Sequence, residues 1–364
     1  MRIVVKLGTS TLTGGARQLN RQRMLEIVQQ VARLYQEGRE MVVVSSGAVT
    51  AGRERLGFPD LGRSVPAKQM LSAVGQGRLM HLYGELFDIF EIAVGQVLLT
   101  RDDLADRPRY LNARDTLLTL IERRIVPIIN ENDTIATDEI RVGDNDNLSA
   151  LVANLLEADL LVILTDQPGL FTADPRRDSG AQLIQQVRHI DEQMYALAGG
   201  AGSNTGTGGM VTKIQAAQLA SRSGVTTVIA SGKEPDVLAR IIAGEPLGTR
   251  FEPVVSHLEG RKRWLLADKP RGRLYVDAGA ANKLLKGGAS LLPVGITGVE
   301  GAFERGETVA VFAPDGREIA HGLTSYSSAD VLKLRGIKSA KIAETLGYTY
   351  GDAVIHRNNL VVLV

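Results

Sequence analysis

The sequence predicts an α/β protein, a three-layer αβα sandwich in which helices cover both faces of a mainly parallel sheet, followed by a small β-rich domain. Short apolar runs such as residues 160–164 alternate with segments whose apolar residues recur every three or four positions. An unbroken apolar run between a helix and a polar turn is typical of a parallel strand that is buried on both faces. After residue 260 the pattern changes to short strands separated by glycine and proline turns.

Composition limits the class of protein. The chain has 364 residues and 44% hydrophobic content, which is enough for two domains with buried cores. It has no cysteine, which excludes disulfides, thiol catalysis and zinc–thiolate sites. It begins directly with a strand-like run and has no stretch of about 18 apolar residues, so we expect a cytoplasmic protein without membrane contact. The net charge is +1, and an excess of basic residues after residue 260 leaves contact with RNA open.

Strands and helices are predicted to alternate along the first part of the chain. A strand at residues 3–5 runs into a turn at Gly8, and Asn20 caps the next helix. A second strand at residues 41–44 enters a turn at Ser46 and Gly47. Further strands are predicted at residues 93–99, 125–129, 160–164 and 225–230, with helices after Pro66, at 109–124, at 148–156, after Val211 and at 236–243. The helix after Pro66 is predicted to bury Met70, Val74, Leu79, Leu82 and Leu86.

The predicted strands end in polar or glycine-rich turns. Open α/β sheets bind ligands at the carboxyl ends of their strands, so these turns are candidate sites. Residues 143–147 read Gly-Asp-Asn-Asp-Asn at the start of a helix, and residues 134–142 are predicted to form a hairpin over this site. Residues 199–209 contain six glycines before another helix, and such a loop can wrap polyphosphate with backbone N–H groups. A plain surface loop is the alternative interpretation.

Several common catalytic motifs are absent. The chain has no P-loop motif, no dinucleotide-binding glycine motif after the first strand and no Gly-x-Ser-x-Gly elbow. The five histidines lie away from the predicted strand ends, so we expect chemistry without an imidazole base.

Lysine is rare in the first 260 residues, where only Lys6, Lys68, Lys213 and Lys233 occur. Lys6 lies at a predicted strand end, and Lys213 lies in the first turn of the helix after the glycine-rich loop. A compact ammonium group is suited to follow the charge on a transferring phosphoryl group, although chance placement is the alternative.

Six motifs in order resemble the amino acid kinase family, and in particular those members that phosphorylate the side-chain carboxylate of glutamate. The motifs are residues 5–10, 45–48, 130–133, 142–150, 165–166 and 206–213. Residues 261–356 resemble a PUA domain. Arg141 stands where lysine is common in the family, and Asn358 where aspartate is common. The resemblance implies an amino acid kinase domain at residues 1–255, a linker at 256–270 and a PUA domain at 271–364.

The resemblance implies that ATP and Mg²⁺ are the cofactors and that L-glutamate is the acceptor, in the first step of proline synthesis. It further implies inhibition by proline and a homo-oligomer, either a dimer or a tetramer. The glutamate side chain has an unperturbed pKa of about 4.3 and is already ionised near neutral pH, so no general base is required. RNA binding by the PUA domain is possible but is not expected to be needed for activity.

The resemblance also assigns residue roles. Lys6, Lys213 and Asp146 are expected to be catalytic, with Asp146 orienting the two lysines. Ser46, Asp133 and Asn145 are expected to bind glutamate. Asp133 is expected to bind the ammonium group of the substrate, and Ser46 and Asn145 its carboxylate. The expected nucleotide and phosphate site comprises Lys6, Gly8, Gly47, Thr165, Asp166, Thr207, Gly208, Gly209, Met210, Val211, Thr212 and Lys213. No protein side chain is expected to bind the metal, because ATP holds it.

Two alternatives stay open from the sequence. One is another small-molecule kinase of the same fold, acting on acetylglutamate, carbamate or a nucleoside monophosphate. The other is a PUA-bearing, RNA-binding regulator that has lost catalysis.

Overall fold

The computed structural model describes residues 1–62, 64–136, 145–175, 177–199, 209–256, 259, 266, 269–286 and 288–363. The chain forms two compact units. Unit 1 comprises Met1–Ala105 and Thr116–His257, and unit 2 comprises Asp106–Asp115 and Leu258–Val364. The short segment Asp106–Asp115 in unit 2 was not expected from the sequence. Most of the predicted linker, the predicted hairpin from residue 137 onward and residues 200–208 of the glycine-rich loop lie outside the described residues.

Unit 1 contains an eight-stranded sheet with the order β3-β4-β2-β1-β5-β7-β8-β6. Its neighbouring strands are parallel except for the antiparallel pair β7 and β8, which confirms the predicted mainly parallel sheet. The strands are β1 Arg2–Leu7, β2 Glu40–Ser45, β3 Val94–Leu99, β4 Val126–Glu131, β5 Leu160–Thr165, β6 Gln186–Val187, β7 Thr226–Ser231 and β8 Thr249–Phe251.

Helices connect these strands. Asn20 caps the second helix as predicted, since its Oδ1 accepts a hydrogen bond from the Arg23 N–H at 3.0 Å. The helices are α1 Thr9–Thr13, α2 Arg21–Gln36, α3 Ala48–Arg55, α4 Val65–Asp88, α5 Arg101–Ala105, α6 Arg107–Glu122, α7 Asn145–Leu155, α8 Glu192–Gly199, α9 Met210–Ser221 and α10 Val237–Ile242.

Both faces of the sheet are covered. Successive side chains of a strand point to opposite faces, so a strand buried at every position needs a helical layer on each side. Val5 packs in one apolar cluster with Ile27 of α2 and Leu79 of α4. Val4 points the other way and is also fully buried, and helix α7 contacts β1 while α9 contacts β7. The predicted three-layer sandwich is therefore confirmed.

The buried face of α4 differs from the prediction at one end. Met70 is exposed, whereas Leu71 and Gly75 are buried. A Cβ atom on Gly75 would lie 1.8 Å from the carbonyl oxygen of Ala48, and one on Gly52 would lie 1.9 Å from that of Leu71. Helices α3 and α4 therefore touch along their backbones. This close approach, which hydrophobic periodicity does not encode, decides which side of α4 faces inward.

Unit 2 contains a five-stranded sheet with the order β10-β9-β11-β12-β13, as expected for a small β-rich domain. Its core includes Leu274, Val309 and Tyr326, and Leu111 packs with Leu323 and Val361 in a smaller apolar cluster. The strands are β9 Gly272–Val276, β10 Ile296–Glu300, β11 Thr308–Phe312, β12 Glu318–Leu323 and β13 Leu360–Val362, and the helices are α11 Ala278–Leu285, α12 Ser328–Leu334 and α13 Ile342–Leu346. In the part of the chain that the structure describes, no helix combines the length and the apolar character needed to cross a membrane.

Candidate active site

Four strands of unit 1 end close together at one edge of the sheet. In the parallel registers, Leu7 of β1 is opposite both Ser45 of β2 and Leu164 of β5, and β4 runs beside β2. The N–H of Ser46 donates to the carbonyl oxygen of Leu7 at 2.9 Å, which ties the turn after β2 to the end of β1. The predicted site residues thus gather at the carboxyl edge, where α/β sheets bind ligands.

A buried cluster of charges lies at the centre of this edge. Asp146 is 1% exposed, and its Oδ1 lies 2.6 Å from Nζ of Lys6 while its Oδ2 lies 3.0 Å from Nζ of Lys213. Thr212 donates a hydrogen bond from Oγ1 to the same Oδ2 at 2.7 Å. The three residues predicted to be catalytic are therefore in direct contact, and they come from β1 and from the first turns of α7 and α9.

Electrostatics keep this cluster charged. Burial by itself would raise the pKa of Asp146, but the ammonium groups of Lys6 and Lys213 and the hydroxyl of Thr212 outweigh it and hold the pKa well below its ordinary value. Two cations around one anion leave a net positive charge in a site where water is largely excluded. Such a site attracts a polyanion such as a nucleotide phosphate.

Two glycines lie in the turns that follow β1 and β2. A Cβ atom on Gly8 would lie 3.5 Å from Nζ of Lys6, an ordinary contact distance, so the turn after β1 lies beside the ammonium group. Gly47 is the N-cap of α3 and has φ at 111°, a left-handed conformation that favours glycine, and a Cβ there would lie 3.1 Å from Cδ1 of Leu12.

The predicted substrate residues form a second, adjoining group. Nδ2 of Asn145 donates to Oγ of Ser46 at 2.9 Å, to Oδ1 of Asn130 at 3.0 Å and to the carbonyl oxygen of Ser45 at 3.4 Å. Oδ1 of Asn145 is buried and has no partner among the described residues. The free end of Asn145 is therefore an acceptor, which suits an ammonium group and not the carboxylate that the sequence assigned to this residue. Because Ser46 accepts from Asn145, its own hydroxyl proton is available for a carboxylate.

Asp133 is held from helix α4. Ser72 donates from its Oγ to Oδ2 of Asp133 at 2.7 Å. Partial burial raises the pKa of Asp133 above its ordinary value, while the bond from Ser72 and the charge of Lys68 act in the opposite direction. When ionised, this carboxylate can accept hydrogen bonds from a substrate ammonium group.

The structure describes only part of the predicted nucleotide site. Thr165 ends β5, where its Oγ1 donates to Oδ1 of Asp166 at 3.1 Å, and Asp166 is exposed. Gly209, Met210 and Val211 lie at the start of α9 with Thr212 and Lys213. Thr207, Gly208 and Arg141 lie outside the described residues.

Three residues of this region were missed by sequence reasoning as side chains of the site. Ser72 and Gln76 of α4 contact Asp133 and Asn130, and Asn130 contacts Asn145. A signal was present, because Ser72 and Gln76 are polar residues four positions apart that flank Gly75 on the buried side of the helix. Asn130 was part of a recognised motif, but its partners depend on the tertiary structure.

The described residues contain no group of three or more histidine, cysteine or acidic side chains that could hold a metal ion. Within the site, both oxygens of Asp146 are already bound by the ammonium groups of Lys6 and Lys213.

Comparison with known proteins places this geometry in a family. The amino acid kinase family model matches residues 1–231, and the PUA domain model matches residues 272–346. A glutamate 5-kinase from Herpetosiphon aurantiacus is 59% identical over 362 residues, covering 99% of this chain and 98% of that protein. Glutamate 5-kinases from Deinococcus radiodurans and Cronobacter sakazakii are 54% and 53% identical, and cover 100% and 99% of this chain.

Among solved structures, the UMP kinase from Bacillus anthracis matches with a TM-score of 0.48 and 18% identity, covering 70% of this chain and 96% of that chain. The family model covers more than half of the chain, and the relatives match it along nearly its whole length. The chain therefore belongs to the amino acid kinase family, in its glutamate 5-kinase group, and carries a PUA domain after the kinase region.

Proposed function

We propose that this chain transfers the terminal phosphoryl group of ATP to the side-chain carboxylate of L-glutamate, giving ADP and L-glutamyl 5-phosphate, the first step of proline synthesis. The observation that carries the proposal is the buried cluster of Lys6, Asp146 and Lys213 beside a group of residues suited to an amino acid. Family membership supplies the use of ATP, and relatives with more than 50% identity carry the name of this activity.

The main catalytic effect is stabilisation of the negative charge on the transferring phosphoryl group. The oxygen of the glutamate side chain attacks the terminal phosphorus of ATP, and the bond from that phosphorus to the bridging oxygen breaks, leaving the electron pair on ADP. The attacking carboxylate is already ionised near neutral pH, so no proton has to be removed. Negative charge spreads over the transferring oxygens, and the ammonium groups of Lys6 and Lys213 offset it.

Asp146 acts through the two lysines. Its oxygens contact both ammonium groups, and its pKa lies well below the ordinary value, so it is a poor base. It holds two like charges close together before ATP arrives, which avoids reorganisation during the reaction. Because these contacts occupy its oxygens, we assign Mg²⁺ to the oxygens of ATP, where it would neutralise charge on the phosphates.

The residues proposed to bind the phosphoryl acceptor are suited to the zwitterionic α-group of an amino acid. Asp133 and the free Oδ1 of Asn145 can accept from an ammonium group, and the hydroxyl of Ser46 can donate to a carboxylate. An acetylated amine carries no positive charge for Asp133, and carbamate lacks a separate ammonium group. The arrangement therefore favours a free amino acid over these acceptors.

The proposal also covers the nucleotide site, inhibition by proline, the oligomeric state and the domain bounds. Thr165, Asp166 and residues 207–213 bind the nucleotide, and the turns at Gly8 and Gly47 hold phosphoryl oxygens. Proline occupies the glutamate site as an inhibitor. We further propose a cytoplasmic homo-oligomer, a dimer or tetramer, with a kinase domain at residues 1–255, a linker at 256–270 and a PUA domain at 271–364.

The proposal is tested by incubating the pure chain with ATP, Mg²⁺ and L-glutamate and trapping the acyl phosphate with hydroxylamine. Acetylglutamate, carbamate and UMP, each with an assay for its own product, are the competing acceptors. Hydroxamate formed from glutamate at a higher kcat/KM than any product from the other acceptors supports the proposal. No turnover of any acceptor, together with retention of structured RNA in a filter-binding assay, would instead favour an RNA-binding regulator.

A further inference from the structure

The side-chain amides of three residues form a chain of hydrogen bonds beside the predicted glutamate-binding residues. Asn145 donates from Nδ2 to Oδ1 of Asn130 at 3.0 Å, and Asn130 donates from Nδ2 to Oε1 of Gln76 at 2.8 Å. Asn130 and Asn145 are 2% and 8% exposed. We call these three side chains the amide relay.

One backbone group fixes the orientation of the whole relay. The oxygen and nitrogen of an amide side chain are told apart by their partners. The N–H of Glu131 can only donate, and it lies 2.8 Å from one terminal atom of Asn130, which must be the oxygen. The nitrogen of Asn130 therefore faces Gln76, and Gln76 must present its oxygen to it. By the same reasoning, Asn145 presents its nitrogen to the oxygen of Asn130.

This orientation leaves one free group at each end of the relay. Oδ1 of Asn145 is a buried acceptor and Nε2 of Gln76 is a buried donor, and neither has a partner in the described part of the chain. Buried polar groups are nearly always hydrogen-bonded, so a free donor at one end of the relay and a free acceptor at the other require a ligand or water. A zwitterionic α-group supplies both, because its carboxylate accepts and its ammonium group donates.

Asn145 is the end of the relay next to the cluster of Lys6, Asp146 and Lys213, and Gln76 is the other end. Asn145 is adjacent in sequence to Asp146, whereas Gln76 reaches Asn145 only through Asn130. Ser72, one helical turn before Gln76, holds Asp133. With glutamate bound as proposed, helix α4 therefore lies beside its α-ammonium and α-carboxylate groups, away from the side-chain carboxylate that is phosphorylated.

Building on the proposed function, we propose that Gln76 is a specificity-determining residue, whose Nε2 donates a hydrogen bond to the α-carboxylate of glutamate while its Oε1 fixes Asn130. The inference deepens the proposed reaction, because it assigns recognition of the α-carboxylate to α4. A hydrogen bond to a charged group is worth about 10-fold to 100-fold in affinity.

Two substitutions at Gln76 test its role as a donor to glutamate. Gln76→Met removes both ends of the amide at similar size, and Gln76→Glu keeps an oxygen for Asn130 but removes the donor. Both variants should raise the KM for glutamate about 10-fold or more, leave the KM for ATP within about 2-fold, and lower kcat less than they raise KM. Gly77→Ala is the control, because the next residue faces open space on the same helix.

A shortened acceptor gives a readout that a structural role would not change. The side-chain carboxylate of 4-aminobutyrate can still be phosphorylated, but this compound has no α-carboxylate. Gln76→Glu, which keeps the oxygen that fixes Asn130, should therefore leave its kcat/KM close to that of wild type while reducing that of glutamate. An equal loss for both acceptors, or a wild-type KM for glutamate in Gln76→Glu, would overturn the assignment. Failure of the wild-type chain and the Gly77→Ala control to turn over glutamate would instead contradict the proposed function.

Discussion

Nζ of Lys6 lies 2.6 Å from Oδ1 of Asp146, and both side chains are almost fully buried. Lys6 is on the first strand of the sheet and Asp146 is in the first turn of α7, so the contact is made only when the sheet edge is assembled. With Lys213 on the other oxygen, the carboxylate fixes two cations in place before substrate binds. Preorganised charge of this kind is the main catalytic resource of a phosphotransferase.

We expect Lys213→Ala to lower turnover about 100-fold or more while changing the KM for glutamate little, since its ammonium group is proposed to stabilise charge that develops during transfer. Lys6→Ala should behave in the same way. Lys283→Ala, at an exposed position of unit 2, is the control. Steady-state assays over both substrates measure the effect, and an unchanged kcat in Lys213→Ala would remove this lysine from the mechanism.

We expect Asp146→Asn to destabilise the fold as well as abolish activity, because two buried ammonium groups lose their counter-charge, at a cost of about 3–5 kcal/mol. The folded-state pKa of Asp146 is below its ordinary value. Its stabilisation is therefore fully present above the unfolded pKa of about 3.9 and is lost as the pH falls through the folded pKa. Urea unfolding at neutral and acidic pH should show the largest difference from wild type at neutral pH. The exposed substitution Asp88→Asn should show no such difference.

The pH dependence of glutamate use should report Asp133. Its raised pKa means that this carboxylate becomes protonated at a higher pH than an ordinary aspartate. With Asp133 binding the substrate ammonium group as proposed, kcat/KM for glutamate should therefore begin to fall at a higher pH on the acid side. Ser72→Ala removes a hydrogen bond that lowers this pKa, and it should move the acid limb to still higher pH. A pH profile of the Ser72→Ala variant that coincides with that of wild type would separate Asp133 from glutamate binding.

Proline should inhibit in competition with glutamate and not with ATP. It shares the α-carboxylate and a charged amine but has no side-chain carboxylate to be phosphorylated. Asp133→Asn should raise the KM for glutamate and the inhibition constant for proline together, by about 10-fold or more for the loss of one charged hydrogen bond. A grid of both amino acids measures this. Weak glutamate binding with unchanged proline inhibition would indicate two separate sites.

A chain that ends at Ser256 should retain glutamate kinase activity, because Lys6, Asp146 and Lys213 all lie in unit 1. It should be less stable, since Leu111 loses Leu323 and Val361, at a cost of about 1.5–3 kcal/mol for one buried leucine. Leu111→Ser should destabilise the full chain but not the shortened one, as thermal unfolding would measure. A folded but inactive shortened chain would show that unit 2 is needed for activity.

The prediction of the fold succeeded where local pattern and burial agree. Neighbouring residues along the chain determine the apolar runs of β1 and β5 and the cap at Asn20. The parallel sheet and the start of α2 could therefore be predicted from them. The inner face of α4 could not, because it is set by the backbone contact of Gly52 and Gly75 with residues from another helix.

The sequence by itself determined the α/β architecture, the β-rich second region and the set of candidate charged residues, because each depends on residue type and on spacing along the chain. Only the tertiary structure decided which groups meet. It placed Lys6 and Lys213 on opposite oxygens of one carboxylate, and it turned the amide of Asn145 so that its oxygen, rather than its nitrogen, is free. The physical reason is that a hydrogen bond has direction: the N–H of Glu131 fixes Asn130, and Asn130 in turn fixes Asn145 and Gln76.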